Sequence, residues 1–360
     1  MKAPATAMLA RAAILLAALS VACLLLAGCA SAPPGKAAAS VAESADQSVF
    51  GRALANPAVT VTGGQLYVAW QVNPVSAAEP RFELARADQA AGAIEASRRL
   101  GAGYLGTPLA AGGWLWVTLS AASGEWLLRM NPADLALTAQ VSIGGPGYRG
   151  FAGLGANLAV AGGALWVTSG SRLLRVSLRT GRVIAAVPLP GADASAVGAS
   201  ADGTVLVVSE AREGAGAVQR RDPVTGALVA SHPMGGVTAP RIGGIAGSGV
   251  WVAEPTGMLG YIERFSTATM TPDPATDVSG SNGIDVRVAD GLAWVTEQVN
   301  ARHEYCASPV TGQVLGRIPL PDPQQDDVAA VAARYVYYLA PAKAGSYLMR
   351  LGVPAGCRAG

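Results

Sequence analysis

The chain has 360 residues, a formal net charge of +2 from 26 basic and 24 acidic residues, and 51% hydrophobic against only 14% charged residues. No cationic run departs from that balance, which argues against a nucleic-acid partner. The high apolar share suits strands that are buried on both faces.

Lys2 and Arg11 flank a short N-terminal region, and Ala12 to Ala27 is an uncharged, mostly apolar run that ends in Leu26-Ala27-Gly28-Cys29. A spanning helix wants about 20 apolar residues, so this run is short for an anchor and right for a signal peptide covering residues 1–28. The small residues before Cys29 resemble the lipobox of bacterial lipoproteins. That resemblance implies that Cys29 is lipidated, palmitate included, and becomes the first mature residue, while Cys23 leaves with the signal. The expected location is then the extracytoplasmic face of the cell membrane, or the periplasm in a double-membraned cell. An ordinary secretory cleavage site is the alternative. Residues 29–46 are rich in Ala, Ser and Pro with few large apolar side chains. They cannot bury a core and read as a disordered tether.

From residue 47 to 360 the chain reads as one all-β domain. Leu158 to Ala161 and Leu165 to Thr168 are β-prone runs joined by Gly162-Gly163, a hairpin turn. Arg172 to Leu178 and Val183 to Leu189 form a second hairpin across Arg179-Thr180-Gly181, closed by Pro188 and Pro190. The Leu-Trp-Val-Thr segment recurs with its first position at Leu66, Leu115, Leu165, Leu206, Val250, Ala293 and Tyr335, at intervals of 41 to 50 residues. Four strands per period of about forty residues predict a seven-bladed β-propeller. Ser48 to Leu54 is similar to the outer strand Gln313 to Leu320, and the last blade lacks sequence for its own fourth strand. An N-terminal strand is therefore expected to close the ring.

A second register runs along the third strands: Arg86, Arg129, Arg175, Arg220, Arg264 and Arg350, with Cys306 in that place in the sixth blade. One arginine per blade reads as structural, its stem over the neighbouring blade and its head on backbone carbonyls. A ring that binds polyanions is the other reading. Cys306 and Cys357 remain as an even pair after export, which suggests a disulfide. The alternative is two free thiols. No C-x-x-C spacing occurs, and the chain has two histidines.

The position four residues after the repeat leucine marks the edge where strand b meets the b–c loop, and it reads Trp70, Leu119, Ser169, Glu210, Glu254, Glu297 and Leu339. Three carboxylates on consecutive blades, facing an apolar wall with Trp70, suit a cation such as Mg or Ca, a hydroxyl-rich or amphipathic ligand, or acid–base work. The bland reading has each glutamate capping backbone or pairing with an arginine such as Arg212 or Arg302. His303 falls at the b–c loop near Glu297 and is a further candidate, whereas His232 sits in an outer strand and reads as structural. No G-x-S-x-G, Walker A or H-E-x-x-H pattern is present.

Gly-Gly-Ala-Leu-Trp-Val-Thr followed by Thr-Gly-Arg-Val-Ile-Ala resembles the repeats of bacterial YVTN-type propellers. Asn282-Gly-Ile284 with Trp294-Val-Thr-Glu297 is similar to the virginiamycin B lyase family, which implies seven blades and a Mg site built from His and Glu; Glu297 matches that pattern, and Asn282 stands where the family has a histidine. Two functions follow as expectations. One is a lipid-anchored binding or scaffolding propeller whose b–c and d–a loops meet a protein, glycan or small molecule. The other is a metal-assisted lyase or hydrolase using Glu210, Glu254, Glu297 and His303.

Overall fold

The computed structural model describes residues 47–73, 79–145, 157–189, 192–211, 216–234, 240–256, 259–273, 283–299, 301–322, 327–332, 334–343 and 345–358. The expected signal peptide, Cys29 and the tether lie outside them, as do Asn282, Arg212, the loops between these segments and the side chains of Glu254, Arg302 and His303.

Alternating runs and glycine turns build antiparallel strands throughout. β1 (Gln47–Thr62), β2 (Gln65–Gln71), β3 (Arg81–Ala87) and β4 (Ile94–Ala102) form the first unit. β5 (Tyr104–Leu105) and β6 (Leu109–Ala111) share the inner edge of the second, followed by β7 (Trp114–Ala121), β8 (Gly124–Met130) and β9 (Leu137–Gly144). The third is β10 (Leu158–Ala161), β11 (Ala164–Ser169), β12 (Arg172–Ser177) and β13 (Val183–Pro188). β14 (Ala192–Ala199), β15 (Val205–Ala211), β16 (Gly216–Arg221) and β17 (Leu228–Met234) make the fourth. The fifth shows three strands among the described residues, β18 (Arg241–Ala246), β19 (Gly249–Thr256) and β20 (Leu259–Ser266). β21 (Gly283–Ala289), β22 (Leu292–Val299), β23 (Ala301–Ala307) and β24 (Val314–Arg317) form the sixth, and β25 (Asp327–Ala332), β26 (Tyr335–Ala342) and β27 (Gly345–Gly352) the last.

The last and first units are one continuous sheet, because β1 serves both. Its first half pairs with β27, with Gln47 opposite Arg350 and Leu54 opposite Ser346, and its second half pairs with β2 from Ala55 to Thr62. The N-terminal segment thus supplies the outer strand of the last unit, as expected.

Packing follows the same circular order. Each apolar cluster is built from two successive units: Tyr67, Leu84 and Leu115 join the first to the second, Trp116 and Leu165 the second to the third, Trp166 and Val207 the third to the fourth. Leu206 with Val250, Trp251 with Val295, and Trp294 with Val336 continue the series. Leu66, Trp70 and Tyr337 then tie the last unit to the first. Strands buried on both faces explain why strand b reads as an unbroken apolar run. The fold is a β-propeller.

Four of the third-strand arginines weld neighbours in the same order, whereas Arg175 donates to Gly162 at 3.3 Å and Arg264 pairs with Asp273 within their own units. Arg86 donates to the Pro132 carbonyl at 3.1 Å, Arg129 to Arg179 at 3.0 Å and Arg220 to Ala268 at 3.1 Å, each carbonyl lying in the turn after the next unit's third strand. Arg350 reaches Gln89 at 2.9 Å and also Ala90, and the Tyr337 hydroxyl donates to the same Gln89 carbonyl at 3.0 Å. Burial pushes the Tyr337 phenol up to about 12, so it keeps the proton it donates. In the turns themselves, Gly92, Gly181, Gly226 and Gly312 adopt positive φ, and Leu135 and Met270 take that φ of 58° where the glycine is missing. A left-handed non-glycine residue costs roughly 1–2 kcal/mol, and here complete burial of both side chains offsets it.

One repeat reading is corrected by the register. The arginine of the third strand stands opposite the tryptophan position of the second: Trp116 faces Arg129, Trp166 faces Arg175 and Trp251 faces Arg264. In the fourth unit Arg220 stands opposite Leu206, and in the last Arg350 stands opposite Tyr337. The leucine position is therefore Val205 and Val336, one residue away from the expected Leu206 and Tyr335 (earlier by one in the fourth unit, later by one in the last). A one-residue slip moves every side chain of a strand to its other face.

Candidate functional site

That slip divides the expected acidic wall. Glu254 and Glu297 hold the same register position in the fifth and sixth units, four after Val250 and Ala293. Glu210 is five after Val205, so it lies on the face of β15 that carries Leu206 and Val208 towards the fifth unit, opposite Asp193 in β14. Three equivalent carboxylates do not occur, and the position corresponding to Glu254 in the fourth unit is Ser209, which is buried. His303 stands opposite Glu297 in the β22–β23 ladder, which brings those two positions together in the backbone register. Glu254 stands opposite Tyr261.

Trp70 does not line an open mouth. It is 5% exposed and packs in the seam between last and first units, its ring 6.0 Å from that of Phe50. The cation over its face is the chain's own Arg52, 5.2 Å from the ring centroid. Leu119 is likewise buried among the residues joining the first and second units. His232 lies in outer strand β17 with its ring 5.6 Å from Phe265, a packing contact.

Cys306 and Cys357 are bridged, with Cα atoms 5.7 Å apart. Cys306 stands opposite Trp294, in the arginine's place, and Cys357 sits in the turn that follows the last unit's third strand. The bridge thus joins the same two structural positions that an arginine and a turn carbonyl join elsewhere. Both cysteines are buried.

Ser169 of the edge row and residues that the repeat pattern did not single out form a polar node on the b–c and d–a loop face. Glu125 opens β8, directly after the b–c turn, and is buried against the third unit. The Ser169 hydroxyl donates to its Oε2, and the Ser120 hydroxyl lies 3.5 Å from its Oε1. Arg172 donates to the Ile143 carbonyl at 2.8 Å, and the Ser169 hydroxyl lies 3.2 Å from the same oxygen. Burial raises the Glu125 carboxyl above the usual range, while hydrogen bonds from Ser169 and Ser120 and the nearby Arg172 charge oppose that rise. In the sixth unit Glu304 is buried and accepts from the Thr296 hydroxyl at 2.8 Å. No signal in the sequence separates these two glutamates from solvated ones. Among the described residues no three His, Cys, Asp or Glu side chains are grouped to hold a metal ion.

An open groove of about 410 Å³ starts at that loop face, at Glu79, Ala121 and Ser123, and runs between β4 of the first unit and β7, β8 and β9 of the second as far as Leu137. Arg98, Leu100, Leu119, Trp126, Leu128 and Gln140 are among its lining. Such a volume lies within the range of small-ligand and peptide side-chain sites.

No protein-family model matches the chain, and no curated protein matches it. Among solved structures it is similar to the Pan2 WD40 domain of Neurospora crassa, at 12% identity and a TM-score of 0.55, with 84% of this chain and 89% of that one covered. It is also similar to a prolyl endopeptidase structure, at 16% identity and a TM-score of 0.56, with 85% of this chain but only 48% of that one covered. BamB from Moraxella catarrhalis aligns at 11% identity and a TM-score of 0.48, covering 81% of this chain and 83% of that one. At these identities the likeness concerns the fold, and WD40 domains are propellers.

Proposed function

We propose that the chain is an extracytoplasmic, lipid-anchored, seven-bladed β-propeller that acts as a binding or scaffolding module for a partner protein, with its b–c and d–a loop face as the working surface. The observation that carries this reading is how the polar groups are divided. Arg86, Arg129, Arg220, Arg350, Glu125 and Arg172 are used to weld one unit to another or to its turn. The groove beside β4, by contrast, keeps arginine, tryptophan and leucine side chains around open space. A rigid ring with such a surface presents contacts without rearranging. From Cys29 to Gln47 the chain spans at most about 60 Å when fully extended, so a lipid on Cys29 holds the ring close to the bilayer.

Cross-linking of the anchored protein in its own membrane tests the reading. The expected result is one partner recovered reproducibly, whose purified form binds the purified lipoprotein directly. Failure to obtain any direct partner would overturn it. The metal-assisted lyase or hydrolase reading is supported by the equivalent register of Glu254 and Glu297 and by His303 opposite Glu297. Stoichiometric Mg or Ca in the purified protein, lost with Glu297→Gln, would favour that reading instead.

A further inference from the structure

We propose that the groove between β4 and the second unit binds an extended acidic peptide segment of the partner, placing a carboxylate on Arg98 and an adjacent apolar or aromatic side chain against Trp126. This deepens the binding-module reading and rests on it.

The placement of Arg98 carries the inference. Strand side chains alternate between faces, and on β4 the face towards the second unit carries Ala96 and Leu100, both packed against the apolar cluster that joins first and second units. Arg98 lies between them in that row. It is half-buried, and among the described residues it has no ion pair. An arginine in an apolar row beside a tryptophan covers that row with its stem and holds its guanidinium at the open groove, where an arriving anion finds a charged, bidentate donor. Other arginines near carboxylates differ: Arg86 meets Glu95 at 2.9 Å, and Arg264 meets Asp273.

The surroundings define the ligand. Trp126 is half-buried in the same cluster and lines the groove with Leu119 and Leu128, so one wall is apolar and aromatic. Arg99 at the rim is 81% exposed and holds Glu83 at only 3.9 Å, a contact that salt screens readily. Glu79, the carboxylate of the lining, accepts the Ala122 amide at 2.9 Å. The lining therefore carries two guanidiniums, Arg98 and Arg99, against the single carboxylate of Glu79. Residues 98–102 are consecutive along the wall, a length of roughly 13 Å that matches about four residues of extended peptide. Two arginines on a chain of net charge +2 are too few for a phosphodiester backbone.

The test uses the full-length lipoprotein in detergent and isothermal titration with capped hexapeptides that alternate Asp or Glu with Leu or Phe. Isosteric Asn and Gln peptides serve as the neutral set. The expected result is saturable binding of acidic members, at least tenfold weaker binding of their amide counterparts, and at least a tenfold loss in Arg98→Gln with an unchanged melting temperature. Arg98→Lys should retain the preference for acid, and Arg182→Gln, an exposed arginine elsewhere, should bind as wild type. Equal binding of acidic and neutral peptides, full binding by Arg98→Gln, or no binding of any acidic peptide at millimolar concentration would overturn the proposal. Cross-linking separates the two levels: a partner held equally by wild type and Arg98→Gln sinks the groove assignment alone, whereas no partner in either sinks the binding-module reading.

Discussion

If the Cys306–Cys357 bridge stands in for an arginine weld, its removal has a size that can be worked out. The two cysteines are 51 residues apart. Closing a loop of that length in the unfolded chain removes about 14 cal/mol/K, or about 4 kcal/mol at 25 °C. Unfolding entropy of about 2.1 cal/mol/K per residue over residues 47–358 comes to roughly 0.65 kcal/mol/K, so Cys306→Ala with Cys357→Ala should lower the melting temperature by about 6 °C in a calorimetric scan. A variant with Cys306→Arg and Cys357→Gly restores the residue type found in the other units and offers a guanidinium to the last turn's carbonyls. Hydrogen bonds to a charged group contribute roughly 1.5–3 kcal/mol, so this variant should recover about 2–4 °C of the loss on the same scale. A double-alanine protein that melts within 1 °C of wild type would refute the loop-closure reasoning. An arginine variant no more stable than the double alanine would refute the equivalence of bridge and weld.

Other outcomes follow from the same contacts. Deleting residues 47–54 strips the outer strand from β27 and exposes its edge, and calorimetry should then show no cooperative transition. Because burial raises the Glu125 carboxyl, the folded state holds that proton more tightly than the unfolded chain does; its contribution is complete below the ordinary glutamate range and is lost as pH rises through the raised value. The melting temperature of wild type relative to Glu125→Gln should therefore fall as pH rises from the ordinary glutamate range upward, and a flat difference would contradict the burial argument. Cys29→Ser, with its signal peptide removed, should leave membranes in a carbonate wash, since residues 30–46 contain nothing apolar enough to hold it.

The architecture was legible because three signals coincide: glycine pairs before the second strands of the first three units, tryptophan at 116, 166, 251 and 294, and one arginine or its substitute on each third strand. Register was not legible where the tryptophan is missing. Val205-Leu-Val-Val208 is aliphatic at every position, and Tyr335-Val-Tyr-Tyr338 offers three tyrosines, so with both faces buried no alternation marks which side each residue takes. The expected row of three glutamates depended on that register, and Glu210 left the row with it. The arginine column held the answer, since Arg220 and Arg350 stand opposite Leu206 and Tyr337, but the spacing between the two columns varies from 9 residues in the third unit to 19 in the first. Glu125 and Arg98 were invisible for a different reason. Each is defined by what a neighbouring unit places over it, and that contact leaves no periodic trace in the chain.

The double duty of β1 also sets an order of events. Gln47 pairs with Arg350, more than three hundred residues downstream, so this strand, made before the rest of the domain, must wait for nearly all of it before half of its amides find partners. Pairing at such separation is slow, because the chain entropy is lost before the contact forms. On the proposed export route, the strand nearest the lipid would meanwhile expose an open β edge beside the membrane, where neighbouring copies could pair with it. On that route folding yield, as well as equilibrium stability, would be a property that the seam governs, and a chaperone that shields residues 47–54 would act on that single edge.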